Sequence, residues 1–282
     1  MTIGEILFET TQKLEAAGID TARLDAEVLL AHCLGCDRVA FLKSPERTLP
    51  DRVISEYRRL LDRRLRFEPV AYLTGRKDFW RFTLAVGPDV LIPRPDTEVI
   101  VEEALALCLK AGLTAPRIAD IGTGSGAIAI ALAAEIPDAE VTATDLSPGA
   151  LRLARQNAEK YQLETKIRFV QGDLFEPLSG LFDLIVSNPP YIAEAEYESL
   201  PPGVKDFEPK TALWAGQTGL EFYEKLVYQA QSRLKSGGWL LLEIGATQAD
   251  AVEAMLAGRG YQHIAIRADY AGRPRVAKGR RL

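Results

Sequence analysis

The segment Ser187–Tyr191, SNPPY, places an amide, two prolines and an aromatic ring directly after an apolar run. The Asn188 side chain offers a carbonyl acceptor. Pro189 and Pro190 have a fixed φ and lack N–H groups, which leaves the Pro189 carbonyl free as a second acceptor. The Tyr191 ring can lie against a planar group. We therefore predict that Asn188, Pro189 and Tyr191 are catalytic, and that these residues and Pro190 bind a substrate with a planar NH2 group.

A planar amide or aromatic amine nitrogen is a poor nucleophile, because its lone pair is delocalised and the group is not basic. A catalyst therefore gains most by holding both hydrogens, turning the lone pair toward the electrophile and excluding water. Such positioning can supply about 7 to 11 kcal/mol. The (D/N)PP(Y/F) pattern is typical of methyltransferases that act on adenine, cytosine, some RNA bases or protein glutamine. The motif indicates the chemistry and leaves the substrate open.

A second segment, Asp120–Gly126, reads DIGTGSG and precedes a run of small residues with helical character. Glycines allow positive φ and a close approach of the backbone to a ligand, and the first turn of a helix presents free N–H groups. The G-x-G-x-G spacing, with an acidic residue two positions before the first glycine, differs from the G-x-G-x-x-G spacing that seats a pyrophosphate. We therefore expect a ligand without a pyrophosphate.

Two more carboxylates follow the next two predicted strands. Asp145 comes about twenty residues after the glycines, where a carboxylate can accept hydrogen bonds from both ribose hydroxyls, each worth roughly 1.5 to 3 kcal/mol. Asp173 follows the third strand, close to the expected adenine position, and Leu174 can pack on the ring. This combination resembles class I S-adenosylmethionine-dependent methyltransferases, which implies S-adenosyl-L-methionine as the cofactor. The predicted cofactor-binding residues are Gly122, Thr123, Gly124, Ser125, Gly126, Asp145, Asp173, Leu174 and Asn188.

The elements that must position these residues form an α/β pattern. From Arg117 onward, short apolar segments alternate with helical ones, which predicts a parallel sheet covered on both faces, with ligands at the carboxyl ends of its strands. Together with the resemblance to class I methyltransferases, this pattern implies a Rossmann-like fold with a mostly parallel seven-stranded sheet. We predict a helical substrate-recognition domain at 1–72, a β-hairpin linker at 73–94 that turns around Gly87–Asp89, and a methyltransferase domain at 95–282.

The N-terminal region shows three amphipathic helical runs. We expect its apolar stripes to form the core of a separate small domain: Ile6, Leu7 and Leu14; Leu24, Val28 and Leu29; Ile54, Leu60 and Leu61. Cys33 and Cys36 form a C-x-x-C pattern without a second pair, and we expect them to pack within a helix.

Composition narrows the function classes. The chain has 282 residues, with 34 basic and 39 acidic residues and a formal net charge of −5. This balance lacks the electrostatic footprint of a general nucleic-acid binder, so we expect no direct nucleic-acid binding. No apolar window approaches a membrane span, and the three cysteines fit a reducing compartment. We predict a cytoplasmic protein without a membrane or metal association.

Several longer segments are distributed along nearly the whole chain: EPVAYLTG (68–75), VLIPRPDTE (90–98), DIGTGSGAIAIALA (120–133), SNPPYI (187–192), LLLEIG (240–245) and DYAGRPR (269–275). Together they resemble the HemK-like family of peptide chain release factor N5-glutamine methyltransferases. IPRPDTE is more specific than NPPY. Relatives can carry an aromatic residue where this chain has Leu174.

The resemblance implies the substrate, which is the glutamine of the Gly-Gly-Gln tip of class 1 release factors. It implies that Gly122–Gly126 and Asp145 bind S-adenosylmethionine and that Asn188–Tyr191 hold the glutamine amide. We expect Arg94 and Glu98 to form an ion pair or cap, or to contact substrate. The segment 192–217 is a candidate for a loop that substrate orders.

Three alternatives stay open from the residues alone. A DNA adenine-N6 or cytosine-N4 amino-methyltransferase would share NPPY, but it usually requires a basic groove, and only Arg58–Phe67 is locally basic. An NAD-dependent oxidoreductase would use the glycines and Asp145 but leaves NPPY unexplained. A non-catalytic binding module would keep the cofactor residues without turnover.

Overall fold

The computed structural model describes all 282 residues, apart from the side chain of Leu42. The chain divides into two compact units, Met1–Gly75 with Pro201–Phe207, and Arg76–Leu200 with Glu208–Leu282. The first unit thus extends past residue 72 and includes a segment distant in sequence. The functional limits 1–72, 73–94 and 95–282 stay predictions.

Helices and strands alternate along most of the second unit, whereas the first unit is helical. The helices are α1 (Ile3–Ala16), α2 (Ala22–Leu34), α3 (Val39–Lys43), α4 (Asp51–Arg64), α5 (Val70–Thr74), α6 (Glu98–Lys110), α7 (Ala127–Glu135), α8 (Pro148–Lys160), α9 (Glu194–Tyr197), α10 (Pro202–Lys205), α11 (Lys210–Leu213), α12 (Glu221–Ala230) and α13 (Ala249–Gly258). A 3₁₀ helix, Pro95–Thr97, precedes α6. The strands are β1 (Arg76–Phe79), β2 (Phe82–Ala85), β3 (Arg117–Ile121), β4 (Glu140–Asp145), β5 (Ile167–Gln171), β6 (Phe182–Ser187), β7 (Ile192–Ala193), β8 (Trp214–Gly216), β9 (Leu234–Glu243), β10 (Gln262–Ala268) and β11 (Pro274–Arg280).

The first unit has its own hydrophobic core, as its amphipathic pattern predicts. The buried members of the predicted stripes are Ile6, Leu7, Leu14, Leu29, Leu60 and Leu61. Leu24 was wrongly placed in this set, because it is 46% exposed and α2 turns Asp25, Ala26, Leu29 and Leu30 inward instead. The Arg64 guanidinium donates to the buried Asp25 carboxylate at 2.7 Å. Cys33 and Cys36 pack against this core, but only Cys33 lies within a helix as expected, because α2 ends at Leu34 and Cys36 follows its Gly35 C-cap.

The second unit is built on a seven-stranded sheet in the order β10-β11-β9-β6-β3-β4-β5, which confirms the predicted fold class. Five neighbouring strands are parallel: β5, β4, β3, β6 and β9. At one end of the sheet, β11 pairs antiparallel with β9, and β10 pairs antiparallel with β11. Successive strand residues face opposite sides of a sheet. Accordingly, Ile118 and Ala119 belong to different hydrophobic clusters. Because the five strands are parallel, their carboxyl ends share one edge of the sheet.

The β-hairpin exists, but its turn is not at Gly87–Asp89. Phe79 pairs with Phe82, so the turn consists of Trp80 and Arg81. Trp80 adopts a φ of 56°, and its backbone N–H donates to Glu98 Oε1 at 2.7 Å. The sequence was misleading because Gly87–Asp89 has turn-forming residues and does form a turn, with Val90 N–H donating to the Gly87 carbonyl, but no strand follows it.

The segment 192–217 contains short regular elements, where the sequence suggested a loop. β7 and β8 pair as a small parallel sheet, and α9, α10 and α11 lie between them in sequence. Within the described part of the chain, no helix combines the length and apolar character required to cross a bilayer.

Candidate active site

The residues 122–126 form a tight turn between β3 and α7, which we call the glycine turn. Its three glycines have φ values of 73°, 55° and 83° in chain order, a region that favours glycine. The backbone N–H groups of Gly122 and Thr123 donate to the Thr144 carbonyl at 2.9 and 2.8 Å. A Cβ on Gly126 would lie 3.2 Å from the Ala154 Cβ. The backbone is thus bent back onto β4 and held there by its own amides.

Asp145 lies beside the glycine turn, as predicted. Its Oδ2 accepts from the Gly124 N–H at 2.9 Å, and its Oδ1 accepts from the Ser147 N–H at 2.9 Å. Burial raises the pKa of this carboxyl, and the surrounding backbone N–H groups act in the opposite direction. A carboxylate has about four lone-pair positions, so Asp145 can still accept further hydrogen bonds. The next residue, Leu146, is 64% exposed and adds an apolar surface beside Asp145 in the chain.

Asp173 and Leu174 follow β5, the strand next to β4. The Thr144 hydroxyl donates to the Leu174 carbonyl at 3.3 Å, which places the Leu174 backbone near the end of β4. Leu174 is half-buried, whereas Asp173 is exposed. The structure therefore brings Leu174 to the edge that carries Asp145, and the cofactor role of Asp173 stays a prediction.

Asp120 was not in the predicted set of site residues, although the sequence places it just before the glycine turn. Its side chain is completely buried. Oδ2 accepts from the Thr123 hydroxyl at 2.6 Å and from the Ala129 N–H at 3.2 Å. Among the described side chains, Oδ1 has no hydrogen-bond partner. Burial raises the pKa of Asp120 to about 7, and the nearby Asp145 adds to that rise.

Residues 188–191, which we call the Asn188 turn, begin where β6 ends. Ser187 pairs with Ile121 of β3, so this turn starts beside the glycine turn. The Asn188 Nδ2 group donates to the Thr97 hydroxyl oxygen at 3.2 Å. The carbonyl of Tyr191 accepts from Gln248 Nε2 at 2.9 Å. The predicted substrate-binding residues are thus fixed at both ends of the turn.

Glu243, at the end of β9, is a second buried carboxylate that sequence reasoning missed. It is 1% exposed, and Leu242 beside it pairs with Ser187 of β6. Burial raises the pKa of Glu243 to about 7, whereas the nearby Thr97 hydroxyl and the charge of Arg275 lower it. Its Oε2 atom has no hydrogen-bond partner among the described residues. The apolar run LLLEIG, interrupted by one acid, was the available signal.

Arg94 and Glu98 do not pair with each other. Arg94 forms an ion pair with Glu208, which also accepts from the Ile92 N–H at 3.0 Å. Glu98 accepts from the Trp80 backbone instead. Both side chains therefore have structural contacts within the second unit.

The C-terminal stretch DYAGRPR forms an ionic cluster with the 3₁₀ helix. Asp269 accepts from the Arg273 N–H at 2.9 Å and from Arg275 Nη2 at 3.2 Å. The same Arg275 group lies 3.2 Å from Asp96 Oδ2. Arg275 is 7% exposed, so bulk water solvates its charge poorly. The two carboxylates compensate that charge instead. This cluster holds Asp96 and hence the neighbouring Thr97.

Two family models match the chain in the regions of its two units. The PrmC N-terminal domain matches residues 5–75, and the methyltransferase small domain matches residues 101–200. A methyltransferase structure from Pyrococcus furiosus matches 70% of this chain and 87% of its own, with a TM-score of 0.52 and 21% identity. At this level of identity, the similarity is one of fold.

Two curated relatives match essentially the whole chain. A release factor glutamine methyltransferase from Geobacter sulfurreducens is 42% identical over 99% of this chain and 96% of its own length. One from Vibrio cholerae is 44% identical over 99% of this chain and 96% of its own length. The glycine turn, the Asn188 turn and the segments around them occur in a chain that belongs to the release factor glutamine methyltransferase family.

Proposed function

We propose that this protein transfers a methyl group from S-adenosyl-L-methionine to the side-chain amide nitrogen, N5, of the glutamine in the Gly-Gly-Gln motif of class 1 peptide chain release factors. The observation that supports it most strongly is the pairing of Ile121 with Ser187, because it starts a turn suited to a cofactor next to a turn suited to a planar NH2. The protein substrate is a release factor, and no direct contact with nucleic acid is required.

The residues of the glycine turn fit the cofactor. Positive φ at its glycines lets a ligand approach the backbone, and Asp145 has lone pairs left for the ribose hydroxyls. The unpartnered Oδ1 of the buried Asp120 suits a cationic donor such as the ammonium of the methionyl group. Leu146 and Leu174 supply apolar surface for the adenine. S-adenosylmethionine, when bound, supplies an electrophilic methyl on a sulfonium.

The Asn188 turn would hold the nucleophile. With Nδ2 bound to Thr97, the Oδ1 atom of Asn188 is available to one amide hydrogen of the substrate, and the Pro189 carbonyl to the other. The Tyr191 ring would lie against the planar amide. Both acceptors are carbonyl oxygens, so the turn orients the lone pair rather than removing a proton beforehand. The nitrogen would become acidic only as its bond to the methyl group forms and the bond from that methyl to sulfur breaks, with S-adenosylhomocysteine as the leaving group. Its proton would then pass to water.

The alternative of a DNA amino-methyltransferase is not favoured, because the relatives matched over the whole chain are release factor enzymes. Membership of a methyltransferase family also argues against an NAD-dependent oxidoreductase. A non-catalytic module predicts cofactor binding without turnover, so it is separated by assay.

The test is mass spectrometry of a release factor co-expressed with the protein, in which we expect the Gly-Gly-Gln peptide to gain the mass of one methylene group. Asn188→Ala removes one acceptor and should lower turnover about 100-fold or more, as loss of one preorganised hydrogen bond does elsewhere. Its affinity for S-adenosylhomocysteine should stay within about threefold of the wild type, a difference below 1 kcal/mol.

A matched control is Glu140→Ala, an exposed residue that begins β4 at the opposite edge of the sheet from Asp145. It should methylate like the wild type. An unmodified release factor alongside labelled DNA, or full turnover by Asn188→Ala, would refute the proposal.

A further inference from the structure

Thr97 lies close to two side chains that follow or end neighbouring strands, Asn188 after β6 and Glu243 at the end of β9. Its hydroxyl oxygen accepts from Asn188 Nδ2 at 3.2 Å, and its hydroxyl lowers the pKa of Glu243 against the effect of burial. Thr97 is 4% exposed and Glu243 is 1% exposed, so neither group is hydrated from bulk solvent. The Thr97 hydroxyl is thus a buried hydrogen-bond partner of the residue proposed to hold the substrate.

The contact between Asn188 and Thr97 sets the direction of the Asn188 amide. A side-chain amide donates through its NH2 group and accepts through its carbonyl oxygen. Because Asn188 Nδ2 donates to the Thr97 hydroxyl oxygen, the carbonyl oxygen of Asn188 faces away from Thr97. An ionised carboxylate near the Thr97 hydroxyl favours the same arrangement, since it accepts hydrogen bonds and cannot donate them.

We propose that Thr97 is a positioning residue that keeps Asn188 Oδ1 turned toward the substrate NH2. This inference rests on the proposed function for the identity of the substrate. Without the hydroxyl, the Asn188 amide could rotate by half a turn and present its NH2 group to the substrate NH2. Two donors would then face each other, and the acceptor would be lost.

The charges around Glu243 are compatible with an oriented carboxylate. Arg275 and Arg94 favour its ionised form, whereas Asp96 and burial oppose it. The pKa of Glu243 is raised to about 7, so the assays belong near pH 8.5, where the carboxylate is ionised. An ionised Glu243 cannot donate to the Thr97 hydroxyl oxygen and so does not compete with Asn188 for it.

The kinetic test compares Thr97→Val with Thr97→Ser. Valine keeps the volume and removes the hydroxyl, so kcat should fall by about 10- to 100-fold, while the Kd for S-adenosylhomocysteine stays within about threefold. Serine restores the hydroxyl and should recover kcat to within about threefold of the wild type. Thr142→Val, in the middle of β4, is the control for the same exchange outside the site.

A merely structural role for Thr97 would change stability and both parameters together, without rescue by serine. A valine variant with wild-type kcat would overturn the proposal. So would a serine variant as impaired as the valine one, or a parallel loss of cofactor affinity.

A second measurement does not depend on activity, because the sequence contains only two asparagines, Asn157 and Asn188. With selective ¹⁵N labelling, the spectrum should show two side-chain NH2 pairs. The Asn157 pair is an internal reference, since its Nδ2 donates to the Ala85 and Ser125 carbonyls at 3.0 and 2.9 Å. Thr97→Val should shift the Asn188 pair and leave the Asn157 pair in place.

The two arms separate the possible failures. If the wild type does not methylate release factor but the Asn188 pair responds to Thr97→Val, the proposed function fails and the positioning of Asn188 stands. If methylation occurs and the pair does not respond, the inference fails alone. Should the valine variant not fold, wild-type Asn188 NH2 protons that exchange with solvent as fast as those of free asparagine would overturn it.

Discussion

The glycine turn and the Asn188 turn begin side by side at the carboxyl ends of β3 and β6, but they are held in different ways. The backbone N–H groups of the glycine turn donate to Thr144 and Asp145 on the next strand of the same βαβ unit, and the buried Asp120 bonds to residues only three and nine positions away. The Asn188 turn is fixed by side chains that are distant in sequence. Thr97 lies 91 positions from Asn188, and Gln248 lies 57 positions from Tyr191.

This difference teaches that a cofactor site can be built locally, whereas the acceptors for a small substrate group require the completed fold. A buried carboxylate with an unpartnered oxygen and a pKa raised to about 7 lies near each turn, Asp120 near the glycine turn and Glu243 near the Asn188 turn. The unpartnered oxygen of Asp120 is available to a ligand. Glu243 lies near Thr97, the residue that accepts a hydrogen bond from the Asn188 amide.

The largest effect should come from breaking the Asn188 turn through Gln248→Ala. Gln248 accepts from the Gly245 N–H at 3.0 Å and the Tyr223 hydroxyl at 3.2 Å, and donates to the Tyr191 and Gly219 carbonyls at 2.9 and 3.1 Å. Losing four hydrogen bonds should lower the free energy of unfolding by about 2 to 4 kcal/mol. Turnover should fall about 100-fold, because small displacements at a reacting centre are costly.

Thr247→Ala is the control for Gln248→Ala, because Thr247 is the neighbouring residue and is exposed. This control variant should match the wild type in urea unfolding and in methylation. Cofactor affinity of the folded Gln248→Ala variant should be nearly unchanged, because the glycine turn does not use this side chain. A variant that loses cofactor affinity as strongly as turnover would show that the two turns are not independent.

The same contrast explains what the sequence could predict. The glycine turn and Asp145 were placed correctly because spacing along one βαβ unit determines which residues meet. Thr97, Glu243 and Gln248 were missed because their partners depend on strand order and on packing between distant segments.

Local signals also failed where tertiary contacts overrode them. Turn-forming residues suggested a hairpin at Gly87–Asp89, but the turn lies at Trp80, whose positive φ is supported by Glu98 and by an indole N–H that donates to Glu135 at 2.8 Å. The sheet itself was predictable, since continuous apolar strands between helices admit few other arrangements.

A second prediction concerns how the stability of the protein depends on pH through Asp120, the buried carboxylate near the glycine turn. Because burial raises the pKa of Asp120 from 3.8 to about 7, its contribution to stability is fully present below pH 4 and is lost as pH rises through 7. Asp120→Asn removes this titration. Relative to the variant, the wild type without cofactor should therefore lose on the order of 2 kcal/mol between pH 5 and pH 8.

Urea unfolding at both pH values measures that difference. Glu243 titrates in both proteins, so its contribution cancels in the difference between their free energies of unfolding. The new NH2 group of Asn changes the stability of the variant but not its pH dependence. If the free energy of unfolding changes equally with pH in the two proteins, Asp120 is already ionised at pH 5. Asp120 and Glu243 would then not share a raised pKa.

The smallest expected effect separates the two carboxylates predicted to contact the adenosyl group. Asp145 is partly buried and orders the glycine turn through Gly124, so Asp145→Ala should weaken S-adenosylhomocysteine binding about tenfold, or about 1.5 kcal/mol. Asp173 is exposed, and solvent screens its interactions, so Asp173→Ala should change the affinity by less than about threefold. Calorimetric titration of both variants gives the order directly. An equal or larger loss for Asp173→Ala would mean that the end of β5 contributes as much to the cofactor site as the turn between β3 and α7, and that this site, too, is assembled from distant parts of the sheet.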